Sequence, residues 1–157
     1  YQKNSVKERI RFYIIGEGNE TLKLKKIVES NNELQDIVIF YGFKSGKELN
    51  EIYNKSDIAI GSLGRFRTGI NIMKSLKNRE YCAKGLPMIY SEIDLDFEGK
   101  KFVYKVSHDE SLIDIAKVIR WYKNLKVSSK EIREYSKRFS WDIQMKKVLD
   151  EIEELKR

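Results

Sequence analysis

The chain has 157 residues, 41% of them hydrophobic and 35% charged. That is enough to bury one core under a heavily charged surface, and it excludes a disordered chain. No apolar run approaches the roughly 18 residues of a membrane span, and the opening YQKNSVKERIRF lacks the apolar stretch of a signal peptide. The net charge of +7, from 31 basic and 24 acidic residues, favours anionic partners: nucleotides, nucleic acid or an anionic membrane face.

The elements alternate along the chain. RFYIIG (11–16) reads as a strand closed by glycine, and ETLKLKKIVES (20–30) as a helix with Leu24, Ile27 and Val28 on one stripe. IVIFYG (37–42) is the next strand. GKELNEIYNKS (46–56) follows as a helix with Leu49, Ile52 and Tyr53 at helical spacing. DIAIGSL (57–63) is a third strand. SLKNREYCAK (75–84) is a short helix with Ser75 as N-cap and Gly85 as its stop. PMIYS (87–91) and KFVYKVS (101–107) complete the strands, with Pro87 where a missing donor is tolerated. Three helices follow: 109–125, opened by acids that suit a helix N-terminus, then 128–139 and 141–157.

Strands alternating with helices predict an α/β fold: a Rossmann-like parallel sheet with helices on both faces, and a helical C-terminal extension. The whole chain, 1–157, reads as one domain. Ligands in such sheets bind at the carboxyl ends of the strands. The strand-end glycines, Gly16-Glu17-Gly18, Gly42 and Gly61 to Gly64, would share that rim.

One stretch stands apart. From Ile58 to Arg79 there is no acid, yet Arg65, Arg67, Lys74, Lys77 and Arg79 fall within it. The helix beginning near Ser75 offers unpaired backbone N–H groups and a positive dipole end. Together with cations this is a phosphate site, against the alternative of solvated surface lysines and arginines. Glu80, one to two turns on, would repel phosphate. It suits a vicinal diol such as ribose, although on the residues alone an i,i+4 pair with Lys84 is the simpler reading.

Other candidates are weaker. GEG (16–18) is not the GxGxxG fingerprint and reads as a tight strand-to-helix turn. GFKSGK (42–47) lacks Walker spacing. His108 reads as a capping or surface histidine. Cys82, the single cysteine, reads as a small core residue, and the lack of a second cysteine fits a reducing compartment. One histidine and one cysteine leave little for a zinc site. Trp121, Tyr122 and Trp141 read as packing. Tyr41 and Phe43 lean to core over a nucleobase contact.

The ordered segments FYIIGEG, IVIFYGF, ELNEIYNKSDIAIGSL, LKNREYCAKGLPMIYS and FSWD resemble the C-terminal, donor-binding half of a GT-B glycosyltransferase of the family 4 type, the glycosyl transferases group 1. The resemblance runs from about Arg11 to Leu155. Its centre is Glu80, Ala83, Gly85 and Pro87, where the family writes E-A-x-A-x-G-x-P-V-I, with Ile89 at the pattern's end. The resemblance implies that Glu80 binds the ribose hydroxyls of a nucleotide sugar. It implies that the helix start at Ser75, Leu76 and Lys77 binds the diphosphate. Arg67, Arg79 and Gly64 belong to the same basic loop and join the implied substrate-binding set. Tyr41 and Gly42 lie in the segment beside the base, and Gly16 and Gly18 line the cleft. No catalytic residue is assigned.

The resemblance further implies transfer of a hexose-type sugar from a UDP- or GDP-sugar to a glycan or lipid-linked acceptor, with retention of configuration. The nucleotide sugar is then the substrate, and no metal or further cofactor is required. The setting is cytoplasmic, with peripheral membrane contact as an option in the full-length enzyme. Two departures stand out. The family often carries a glutamate eight residues before the ribose one, and here that position is Ile72. The acceptor domain and the first donor-domain strand, with its Arg/Lys loop, are expected upstream of Tyr1, so the chain reads as a fragment inactive alone. Arg67, Gly69, Leu76, Lys77, Arg79, Glu80 and Tyr81 fit a subgroup with R-x-G and LK-x-REY, which places the loss at Ile72 among that subgroup's habits. The rivals are a non-catalytic nucleotide-sugar sensor and a nucleic-acid-binding α/β domain. The latter ranks low because aromatics do not interleave with the cations, Phe66 excepted.

Overall fold

The computed structural model describes residues 9–156; Arg157, expected to close the last helix, and most of the opening segment lie outside them. The chain divides after Lys55 into two compact units. In the first, β1 (Phe12–Ile15) pairs in parallel with β2 (Val38–Gly42). Between them run α1 (Thr21–Glu29) and the short α2 (Asn32–Gln35), and α3 (Gly46–Asn54) follows β2. The helix expected over 20–30 ends as expected, whereas the short α2 after it is an additional element. Asn31 starts α2, because its side chain accepts from Glu33 N.

The second unit holds a three-stranded parallel sheet in the order β3 (Ala59–Ile60), β4 (Met88–Tyr90), β5 (Val103–Lys105). A 3-10 turn at Arg65–Thr68 and helix α4 (Leu76–Lys84) connect β3 to β4. After β5 come α5 (Ile115–Lys123), α6 (Ser129–Ser136), a 3-10 turn at Lys137–Phe139, and α7 (Trp141–Leu155). The molecule is thus α/β, with parallel strands flanked by helices and a helical C-terminus. The strands expected in one sheet are arranged in two.

Most of the fully buried side chains lie in the second unit: Cys82, Met88, Tyr90 and Phe97 are at 0% exposure and Ile132 at 1%. Phe97 is ringed by Phe102, Tyr135 and Phe139. Met88 and Ile89 of β4 are both buried, as a strand covered on two sides requires. α4 ends where expected. Gly85 takes a left-handed φ of 78° and its N–H bonds Cys82 O, the geometry glycine accepts without penalty.

Three expectations need correction. The helix foreseen over 109–125 begins only at Ile115, because Asp114 caps it by accepting from Lys117 N. Asp109 instead accepts from Ser111 N, and Glu110 reaches across to Arg67. Trp141 does not pack: it is 80% exposed. Phe43, read as leaning to core, is 75% exposed, whereas Tyr41 sits edge-on to Tyr13 with ring centroids 5.5 Å apart.

Candidate donor-binding site

The candidate residues fall into two groups, one in each unit. In the first unit, Gly16 N–H donates to Gly42 O at 2.7 Å, joining the carboxyl ends of β1 and β2. Both glycines have positive φ, 99° and 64°, so the tight crossing depends on them. Gly18 N–H is taken by the Thr21 hydroxyl at 2.8 Å. The GEG segment is therefore the expected strand-to-helix turn. Tyr41 lies next to Gly42 on β2, half-buried.

In the second unit the site is α4 and the loop leading to it. Ser75 stands at the N-cap with extended φ and ψ, and its side chain makes no capping bond. The first-turn amides at Leu76 and Lys77 therefore have no side-chain acceptor. The inward positions of the helix are fixed. Asn78 Nδ2 donates to Asp94 Oδ2 at 3.2 Å, and Tyr81 OH to Ile60 O at 3.1 Å. The Cys82 thiol points to Ile132 O at 3.2 Å. At 3.6 residues per turn, that leaves Leu76, Lys77 and Glu80 outward. Leu76 is 83% exposed and the other two are also exposed. Glu80 and Lys77 form no hydrogen-bonded or ionic side-chain contact among the described residues. Burial first, then the neighbouring Glu80 charge, raises the Tyr81 phenol above its ordinary value.

The cations of the basic loop sort differently from the expectation. Arg67 makes a two-pronged bond to Glu110, at 2.8 Å from Nε and 2.6 Å from Nη2. This bond raises the arginine and lowers the carboxyl. Lys74 reaches Asp96 at 3.5 Å. Arg79 bonds Asp94 at 3.0 and 3.3 Å and also Asp96, beside the rings of Phe97 and Phe139. Burial pulls its pKa down, but the bonds and charge of Asp94 and Asp96 outweigh that and leave it raised. Arg79, placed by the sequence among the phosphate contacts, is thus spent internally. Arg65 and Lys77 form no ion pair among the described residues. Gly64 opens the 3-10 turn at an ordinary φ of −118°.

The acids that answer Lys74 and Arg79 lie in SEIDLDFEG, where Glu92, Asp94, Asp96 and Glu98 recur at every second residue. That alternation is the sequence signal for the acids that meet these cations. His108, expected at a cap or on the surface, is half-buried with Nδ1 3.0 Å from Ser91 Oγ, at the strand-end rim. A separate cavity of about 330 Å³ lies at the opposite, amino-terminal ends of β3 and β4, lined by Asp57, Pro87, Tyr122 and Ile132, and no candidate site residue borders it. Among the described residues no group of three or more His, Cys, Asp or Glu side chains is placed to hold a metal ion. No described helix is long and apolar enough to cross a membrane.

Parallel strands joined through helices define a Rossmann-like α/β domain. The chain belongs to the family described as glycosyl transferases group 1, which matches residues 2–125, and it is a GT-B glycosyltransferase domain. No curated protein and no solved structure matches it. The matched region runs past the end of α5, so α6 and α7 lie outside it.

Proposed function

We propose that this domain binds a nucleoside-diphosphate sugar and serves as the donor half of a glycosyltransferase that moves a hexose-type sugar to a glycan or lipid-linked acceptor with retention. One observation carries the reading: the outward face of α4 combines uncapped first-turn amides, the unengaged Lys77, and the unengaged Glu80 one turn on. Amides and Lys77 suit a diphosphate, whose charge grows as the glycosidic bond breaks. Glu80 suits the two ribose hydroxyls. Arg65 is the further cation free to approach the phosphates. The acceptor is met through another domain of the full enzyme, in the cytoplasm or at its membrane face, and the chain alone binds donor without turnover.

The test is a thermal-shift panel of UDP, GDP, ADP and CMP. At about 100 times its Kd the preferred nucleotide stabilises the domain by about 2.7 kcal/mol. Glu80→Ala abolishes that gain and leaves the unliganded midpoint in place. An unchanged ligand shift in the variant removes the ribose assignment.

A second reading, a nucleotide-sugar sensor without transfer chemistry, is favoured by Ile72. This residue stands where the family often has a glutamate, its backbone bridges Ile93, and its side chain is 62% exposed. Sugar transfer by the full-length protein decides against the sensor, and donor binding without transfer decides for it.

A further inference from the structure

We propose that Asp94, which faces away from the ligand side of α4, is the positioning residue that sets the rotation of that helix and so aims Lys77 and Glu80; the proposal rests on the donor-site reading above. The segment after β4 grips the helix start in two ways. Its backbone holds the segment leading into the helix, with Met73 N donating to Ile93 O at 2.9 Å and Ile93 N to Asn71 O at 2.8 Å. A fully buried carboxylate of the segment, Asp94, then takes hold of two consecutive helical residues. Oδ2 accepts from Asn78 Nδ2 at 3.2 Å and from Arg79 Nη1 at 3.0 Å, and Oδ1 accepts from Arg79 Nη2 at 3.3 Å and from Asp96 N at 3.4 Å.

Successive helical residues point about 100° apart. Fixing both 78 and 79 on the inner side therefore fixes the angle at which 76, 77 and 80 leave on the outer side. The Ser75 side chain, which could have pinned the helix start, makes no capping bond. Side-chain control of the first turn accordingly passes to Asn78 and to Arg79, whose Nη1 also donates to Ser75 O at 2.9 Å, and Asp94 holds both side chains. The same bonds keep the Arg79 guanidinium from swinging outward, so that the cation presented on the outer face of α4 is Lys77.

The experiment is calorimetric titration of the full chain with UDP and GDP, well below the melting midpoint of each variant. Asp94→Asn keeps the volume and removes the charge. Its binding should weaken about tenfold, and Asp94→Glu should recover part of the loss. In a Glu80→Ala background the further loss from Asp94→Asn should shrink to about twofold, because one of the two contacts it aims is already gone and only that of Lys77 is left to lose. A general structural role would instead cost the same factor in both backgrounds, which would overturn the proposal. If Asp94→Asn does not fold, Asn78→Ala, which cuts one tie and keeps the Arg79 pair, should weaken binding about threefold with the same dependence on Glu80; unchanged affinity overturns the proposal. If the unmodified chain binds neither nucleotide, the donor-site reading fails and this proposal with it. If the chain binds, Glu80→Ala loses affinity and Asp94→Asn does not, only this proposal fails.

Discussion

A β-carbon on Gly61 would stand 2.6 Å from Asn78 Oδ1, so the end of β3 and the first turn of α4 approach as closely as a glycine permits. The same carbon would meet Tyr90 Cβ at 3.0 Å. Asn78 cannot retreat freely, since it is fully buried and its Nδ2 is tied to Asp94. Gly61→Ala should therefore cost about 1–3 kcal/mol of stability, read from urea midpoints. Combined with Asn78→Ala, the loss should be less than the sum of the two. Strict additivity would show that the clash lies elsewhere.

Arg79 and Lys77 sit two residues apart and should respond in opposite ways. Arg79→Ala leaves Asp94, at 0% exposure, as a buried charge without its cation. That should cost about 3 kcal/mol. Lys77→Ala should change stability by less than about 0.5 kcal/mol while weakening nucleoside-diphosphate binding about tenfold. Denaturation midpoints and titrations on both variants check the pair. A destabilised Lys77→Ala, or an Arg79→Ala with wild-type stability, would reverse the roles.

That division also shows what a linear reading reaches. The end of α4 is legible because Gly85 acts locally and stops the helix within a residue; Ser75 does stand at the N-cap, but its side chain makes no capping bond. Cys82 as core and GEG as a turn were legible for the same reason. The roles of the basic loop were not. Arg79 meets its acids 15 and 17 residues on, and Arg67 meets Glu110 43 residues on, beyond any window that reads charge run by run. The start of α5 was missed because Asp109 and Glu110 look like first-turn acids but are spent on Ser111 and Arg67, leaving Asp114 as the cap. Tertiary partners decide Arg67, Arg79 and Glu110, whereas the start of α5 turns on which of several nearby acids makes the local capping bond.

Gly85 makes a sharper prediction than Gly61. Its φ is positive, and a β-carbon there would lie 2.5 Å from the backbone oxygen of Ser129 and 2.6 Å from Arg133 Nη1. The arginine could move, but the carbonyl is held at the start of α6. Left-handed backbone strain and the clash add, so Gly85→Ala should cost about 2–4 kcal/mol. The packing of α4 on α6 should loosen first, visible as faster amide exchange in Ile132 and its neighbours. A variant within about 0.5 kcal/mol of wild type would mean that α6 shifts without cost.

Cys82 gives the chain an alkaline limit. Burial pushes its thiol up to about 12, against weaker opposing pulls from Arg138 and Arg79. The buried Tyr90 phenol is raised as well, by burial first and then by the charges of Glu98, Asp94 and Glu92. The sign follows from which state ionises first. An unfolded cysteine loses its proton near about pH 9, whereas the native thiol stays neutral, so above that point the unfolded chain is the better proton donor and gains ground. The contribution is complete below about pH 9 and declines as pH rises towards the folded value. Cys82→Ala starts less stable because it leaves a small void, but it lacks this decline. The stability gap between wild type and variant should therefore narrow in urea titrations taken from about pH 8 upward. The native thiol should also resist alkylation until the chain unfolds, because the thiolate is the reactive form. A gap that stays constant across that range, or rapid labelling of the folded protein, would show that the thiol is neither buried nor held neutral.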